Sequence, residues 1–270
     1  MYKYKIYLLL YWAVSTITIH AQTHSSGLPD DVIWTRGIYR ELSLEDAGNA
    51  ALNYPAESTN DRQNLITIIF KLLKDNRITA YEYLLDGTER ITSQYQMHLR
   101  DILDRFRIPY QQQSAGRDTL FLVNNDDIPS TEVLSYFIKE VWYFDQRTST
   151  FGSRISAICP VLYRSDDTGL AELKMPMFWI NYAELSPHLH HTFVPVSNLN
   201  DVAATSLDDF FTSRLYQGDI YKTSNMLNRS LAQYYHSDSA LIDARRHIEE
   251  QLRLFEQNLY GTDLPKDTIK

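Results

Sequence analysis

Hydrophobic spacing along the chain alternates between the period of a helix and that of a strand, and the changes divide it into elements. Leu65, Ile66, Ile69, Leu72 and Leu73 recur at three- and four-residue intervals, which predicts an amphipathic helix to about Lys74 with Asn60 or Asp61 as its cap. After a break at Gly87, a second helical stripe comprises Ile91, Tyr95, His98, Leu99, Ile102, Leu103 and Phe106 and stops before Pro109. From Leu134 to Ala183 the period falls to two. Tyr136, Ile138, Glu140, Trp142 and Phe144 share one face, "DQRTS" makes a polar connection, and "FGSRISAICPVLYR" and "LKMPMFWINYAEL" follow as strands on either side of the turn "SDDTG". Thr131 to Lys139 also fits a helix capped by Ser130, because Val133, Leu134, Phe137 and Ile138 keep helical spacing.

The flanking segments complete the outline. Order is expected from Val32, where "VIWTRGIYRELSL" mixes β-branched and aromatic residues, and Pro55 biases Tyr54 towards a turn. "QQQSAGRD" reads as a loop and "TLFLV" as a short strand. Ser206 and Asp209 resemble a capping box for a helix carrying Leu207, Phe210, Phe211, Arg214 and Leu215. A closing helix keeps Leu241, Ala244, Ile248, Leu252, Phe255 and Leu259 on one stripe, with Asp238 as cap, Glu249 and Arg253 as an i,i+4 pair, and Gly261 as its end. The fold class implied is α+β: an antiparallel β-meander core at about 133–183 flanked by amphipathic helices, in a single domain over 32–260 with a loose tail at 261–270. "IFKLLKDNRITAYEYLLDGTERITSQY" and "FFTSRLYQGDIYKTSNMLNRSLAQYY" echo each other, so two related halves and chance similarity both stand as readings.

The N-terminus changes the compartment. Lys3 and Lys5 precede the apolar run Ile6 to Val14, which is too short for a membrane span, and Ile19 and Ala21 suit cleavage after Ala21. Residues 1–21 are therefore expected to be a secretory signal peptide and 22–31 a flexible arm, giving export to an oxidising compartment. No cysteine stands at the cleavage site, so membrane association is expected only through a partner. The leader carries two lysines and no acid, so a formal charge of −8 becomes −10, and no basic stripe is left to track nucleic acid. Cys159 is the lone cysteine, so no internal disulfide can form, and its apolar setting marks it as a small buried hydrophobe.

Candidate chemistry is sparse. His188, His190 and His191 follow Pro187; on a strand His188 and His190 would share a face fit for Zn²⁺ or Cu²⁺, and a metal-binding protein or metal-dependent hydrolase is the second functional reading. No HExxH or Cys-x-x-Cys accompanies them, and after Pro187 an exposed histidine-rich turn accounts for them better. The aspartate pairs Asp30-Asp31, Asp126-Asp127, Asp166-Asp167 and Asp208-Asp209 sit at turns or helix starts without EF-hand spacing. There is no G-x-S-x-G elbow and no phosphate-cradling glycine loop, so no catalytic residue and no cofactor are expected. Trp34, Trp142 and Trp179 either fill the core or anchor a protein interface. In the second case Arg36, Arg40, Arg147 and Arg154 lie near them in sequence, and Trp, Tyr and Arg are the residues that dominate such surfaces.

These residues carry a resemblance. "IKEVWYFDQRTSTFGSRISAICPVLYR", "MPMFWINYAEL" and "LDDFFTSRLYQGDIYKTSNMLNRSLAQYY", with "DVIWTRGIYRELSLEDAGNAALNYP" and "NLITIIFKLLKDNRITAYEYL" before them, resemble in collinear order the GldN/PorN family of Bacteroidota gliding-motility and type IX secretion proteins. The resemblance implies a periplasmic, non-catalytic subunit that self-associates in a ring with the outer-membrane lipoprotein PorK (GldK) and meets the PorM/GldM motor component. It implies no catalytic residues, and the chain lacks the long basic tail of some relatives.

Overall fold

The computed structural model describes residues 31–56, 58–59, 62–115, 118–165, 172–195 and 204–260. The expected leader, most of the arm and the tail lie outside them. Strand β1 (Val32–Ser43) is followed by α1 (Leu65–Lys74), β2 (Ala80–Glu82), β3 (Gln96–Met97), α2 (Leu99–Arg105), β4 (Gln111–Ala115) and β5 (Asp118–Leu122). The long hairpin β6 (Val133–Asp145) and β7 (Thr150–Ser165) leads to β8 (Glu172–Pro176), β9 (Phe178–Asn181) and α3 (Tyr182–Leu189). The chain closes with β10 (Phe193–Pro195), β11 (Ala204–Ser206), α4 (Leu207–Thr212), β12 (Asp219–Thr223) and α5 (Asp238–Tyr260).

The architecture is α+β. An eight-stranded antiparallel sheet runs in the order β12-β1-β6-β7-β9-β2-β3, with β8 paired to the end of β7, and β4-β5 and β10-β11 form separate ribbons. The meander is its centre, and β6 is a strand throughout rather than beginning as a helix. Its register shows why: Leu42 opposes Tyr136 and Phe137 opposes Cys159, so β6 is laddered on both edges, and its alternate apolar positions enter the cores on the two faces of the sheet. Full burial on two sides produces an apolar run that helical spacing mimics.

One face of the sheet carries the main core. Leu42, Tyr136, Ile138, Ile158, Leu162, Phe178 and Ile180 meet apolar residues of α1 to α4. Further along the same face, α5 buries Ile248 and Leu252 with Ile38, Trp142, Phe151 and Ile220, which contributes about 3–6 kcal/mol for the two helix side chains. The opposite face is aromatic: Tyr39, Phe137 and Trp179 surround Cys159, with Tyr83 and Tyr221 against them. The connection from β2 to β3 crosses this face as a strap. Its Glu89 accepts the Tyr39 hydroxyl at 2.7 Å and pairs with Lys139, and Lys222 of β12 donates to the Asp86 carbonyl at 3.0 Å.

Local expectations are corrected where tertiary pairing competes with them. Helix α1 starts at Leu65 and is capped by Asn64, whose side chain accepts the Thr67 amide at 3.1 Å; Asn60 and Asp61 lie outside the described residues. The second helix covers only Leu99–Arg105, because Gln96 and Met97 are drawn into ladder pairing with Tyr81 and Ala80. "QQQSA" is a strand paired with β5, not a loop. The third meander strand is broken at Met177, and it gives way to α3 where the Asn181 side chain accepts the Ala183 amide at 3.1 Å. Ser206 caps α4 as expected, accepting the Asp209 amide at 3.0 Å. The first-turn cap of α5 is Ser237 rather than Asp238, accepting the Ala240 amide at 3.3 Å. The side chain of Leu259 lies outside the described residues.

The sequence echo corresponds to one repeated local form. Helices α1 and α4 each end at a left-handed residue, Asn76 (φ 52°) and Arg214 (φ 54°), before leading to β2 and β12. The amide one residue beyond bonds back across the helix end, Arg77 to Leu72 at 2.8 Å and Leu215 to Phe210 at 3.0 Å. This is a general way to satisfy terminal carbonyls, and α2 uses it too at Arg107.

Candidate protein-interaction surface

The three histidines are not brought together as a ligand group among the described residues. His188 lies within α3, His190 ends that helix and His191 follows in the turn, so they do not occupy alternate positions of a strand. Helical rotation of about 100° per residue sends neighbouring side chains in different directions. His190 Nδ1 lies 3.2 Å from Asp208, which also accepts the Tyr182 hydroxyl at 2.9 Å. His191 faces a surface cavity beside Arg62 and Lys71, cationic company that disfavours a metal ion. Among the described residues no group of three His, Cys, Asp or Glu side chains is placed to hold one. Cys159 is enclosed, and burial pushes its thiol pKa well above the usual range, leaving it protonated.

The aromatic and arginine anchors also divide differently from expectation. Trp142 and Trp179 are 1% and 0% exposed and cannot meet a partner without unfolding. Residues of α5 help to bury Trp142 on one face of the sheet, and Tyr83 of the strap stacks on Trp179 on the other. Trp34 is half-buried, packed between Phe151 and Phe255 at centroid distances of 5.5 and 5.4 Å. Arg36 reaches Gln251 at 3.1 Å, Arg154 is half-buried, and Arg40 is buried. Arg147 is exposed, beside Asp31 at 3.4 Å.

Arg40 belongs to a buried polar centre beneath α5. Its Nε donates to Glu140 at 2.9 Å, and its two terminal nitrogens grip Glu249 of the helix. Glu249 is thereby taken from the expected pairing with Arg253, which sits near Glu250 instead. Glu140 is completed by the Trp142 indole N–H at 2.7 Å and the Tyr216 hydroxyl at 2.6 Å. Burial alone would disfavour the Arg40 charge, but the hydrogen bond to Glu249 and the charges of Glu140 and Glu249 outweigh it and raise the guanidinium pKa above its ordinary value. Arg214 lies 4.2 Å over the Trp142 ring. The donors of Arg40, Trp142 and Tyr216 are aimed at protein acceptors, which describes a helix anchor.

Apolar exposure is concentrated elsewhere. Leu85 and Met226 are fully exposed, at 107% and 105%, and Leu227 is 64% exposed. They occupy two loop tips held together by Asn228, whose side-chain amide donates to the Asp86 carbonyl at 3.2 Å and the Thr88 hydroxyl at 2.6 Å. Asn225 braces the second tip, accepting the Arg229 amide at 3.0 Å and donating to the Arg229 and Thr223 carbonyls. Gly87, at φ 63°, permits the first. Tyr234, Tyr235, Arg90 and Arg229 are exposed nearby in the chain, and Arg229 lies over the Tyr234 ring. Apolar side chains on a braced support, with tyrosine and arginine around them, are the makings of a protein contact.

Compared with models of protein families, residues 28–261 match the one described as gliding motility associated protein GldN. The chain belongs to the GldN family. No curated protein matches it. The GldN match spans every described strand and helix, and it includes both loop tips and the Arg40 centre. No described helix of this GldN-family chain is long and apolar enough to cross a membrane. Sequence reasoning passed over the tips, although "LLDG" and "NMLN" each set an apolar pair among turn-forming residues.

Proposed function

We propose that this GldN-family chain is a non-catalytic structural subunit of the gliding and type IX protein secretion machinery. In this reading it works in the periplasm and assembles with a PorK/GldK-type outer-membrane lipoprotein into a ring. The same subunit meets a PorM/GldM-type motor component, and its only hold on the membrane is through the lipoprotein. Membership of the GldN family across residues 28–261 carries the reading. The braced apolar tips and the leader pattern support it.

The test is purification of the tagged, secreted chain from envelope extracts of its own cells, followed by mass spectrometry and negative-stain imaging. Recovery with the lipoprotein in a large annular assembly is the expected outcome. A chain recovered as a free monomer, with the lipoprotein absent from the eluate, would overturn the proposal.

A further inference from the structure

The strap across the aromatic face is fastened differently from the sheet beneath it. Between Tyr83 and Tyr95 its backbone hydrogen bonds run from Gly87 to Leu84, Thr92 to Arg90 and Tyr95 to Thr92, so among the described residues they all close within the strap. The ladders at its two ends are short, three residues in β2 and two in β3. Tyr83 and Ile91 pack against the aromatic cluster, and each is only half-buried. The firmer attachments are polar. Glu89, its side chain 9% exposed, accepts the Tyr39 hydroxyl and pairs with Lys139, and the Asp86 carbonyl accepts from Lys222 and Asn228. An element with no ladder of its own and few buried apolar contacts belongs to the least stable part of a fold.

The closed strap also carries a cost. Tyr39 opposes Lys222 and Arg40 opposes Ile220, so Tyr221 is an extra residue in β12, and this bulge brings Tyr221 and Lys222 to the same face. The Tyr221 ring lies 4.6 Å from Phe137, and the Lys222 ammonium sits 4.7 Å over Tyr39. The Tyr221 hydroxyl and the indole N–H of Trp179, on which Tyr83 stacks, are enclosed and meet no partner among the described residues. Burial also lowers the pKa of Lys222 below its ordinary value. Lifting the strap returns these groups to water, which offsets part of what the lost contacts supplied.

We propose that the strap opens by local unfolding, as one unit, while the rest of the sheet stays folded. Closed, it holds the Leu85 loop to the Met226 loop through Asn228 and presents the joined tips. Open, it parts the tips and uncovers Tyr39, Phe137 and Trp179, so the two apolar surfaces are alternatives. This device is a property of the single chain and goes beyond the structural-subunit reading.

Cys159, the lone cysteine, is fully buried in the cluster that the strap covers and reports its opening. The test is labelling of the secreted full chain with the thiol reagent DTNB, over a urea series below the unfolding transition. Labelling should be faster than global unfolding permits and depend weakly on urea, because opening a strap exposes less surface than unfolding a domain. Glu89→Gln should speed it about tenfold, the order expected when a shielded hydrogen bond to a charged group is lost. Asn228→Ala, which leaves Glu89 in place, should speed it about threefold, the order for neutral hydrogen bonds. Glu140→Gln loosens α5 on the opposite face and should leave the rate unchanged. A rate that tracks global unfolding through the urea series, Glu89→Gln labelling at the wild-type rate, or Glu140→Gln accelerating it as much as Glu89→Gln would each overturn the local opening. Asn228→Ala at the wild-type rate would overturn the coupling between strap and tips.

Discussion

Replacing Glu140 by Gln tests the polar centre that holds α5 to the sheet. Glu140 is 1% exposed and receives three donors: Arg40 and Tyr216 on Oε1, and the Trp142 indole on Oε2. Glutamine offers one acceptor oxygen. If that oxygen keeps Arg40 and Tyr216, its –NH₂ group faces the indole N–H across 2.7 Å, donor against donor. Stranding the indole costs about 1–3 kcal/mol, and removing one partner of a buried ion pair costs about 3–5 kcal/mol in all. Glu249 still faces Arg40, which places the expected loss near the lower bound, about 3 kcal/mol. At roughly 2–4 °C per kcal/mol for a domain of this size, the melting midpoint should fall by about 6–12 °C. Glu249→Gln is the internal comparison: its side chain is about half exposed, so it should cost about 1 kcal/mol or less. Urea unfolding followed by circular dichroism gives both free energies if the denaturant slope is unchanged. The reasoning is refuted if Glu140→Gln lies within about 1 kcal/mol of wild type, or if Glu249→Gln is the more damaging of the two.

Other consequences follow from the same geometry. Tyr39, Tyr136, Tyr182 and Tyr216 are buried, and burial raises their pKa values, with Glu89, Asp208 and Glu140 adding to the effect at Tyr39, Tyr182 and Tyr216 respectively. A raised folded pKa means stability intact below the unfolded value of about 10 and lost above it, by roughly 1.4 kcal/mol per group per pH unit. Urea midpoints should therefore collapse above about pH 10, and a flat profile through about pH 11 would sink this account. Gly218→Ala should destabilise by about 1–3 kcal/mol, because the new Cβ would clash with Leu42 Cδ2 and lie 2.9 Å from the Glu41 carbonyl oxygen; an unchanged thermal midpoint would refute it. Chelation should leave the thermal midpoint in place, and elemental analysis should find no stoichiometric Zn or Cu. One retained metal per chain, lost on His188→Ala, would restore the histidine site.

The interaction surface was less legible than the fold. Tryptophans adjacent to arginines in sequence suggest anchors, but strand alternation assigns Trp142 and Trp179 to the two covered faces of one sheet. Which of those faces stays open depends on what packs across it. A helix covers one and the strap from β2 covers the other, and neither covering element is adjacent in sequence to the tryptophan it hides. Leu85 and Met226 show the converse: the tips are brought together by Asn228 and Asp86, a pairing that spans 142 residues of chain.

What the sequence by itself determined were the features encoded by local spacing: the amphipathic helices α1, α4 and α5, the Ser206 cap, the two-residue period of the meander and the α+β class. Periodicity and capping act within one or two turns, so neighbouring residues suffice to specify them. Tertiary structure alone decided that Gln96 and Met97 pair as a strand, that Glu249 serves Arg40 rather than Arg253, and that two distant turns combine into one apolar tip. Each of these trades a weak local preference, worth a few tenths of a kcal/mol, for ladder bonds, a shielded charge pair or a shared loop brace. Those partners become neighbours only once the chain has folded.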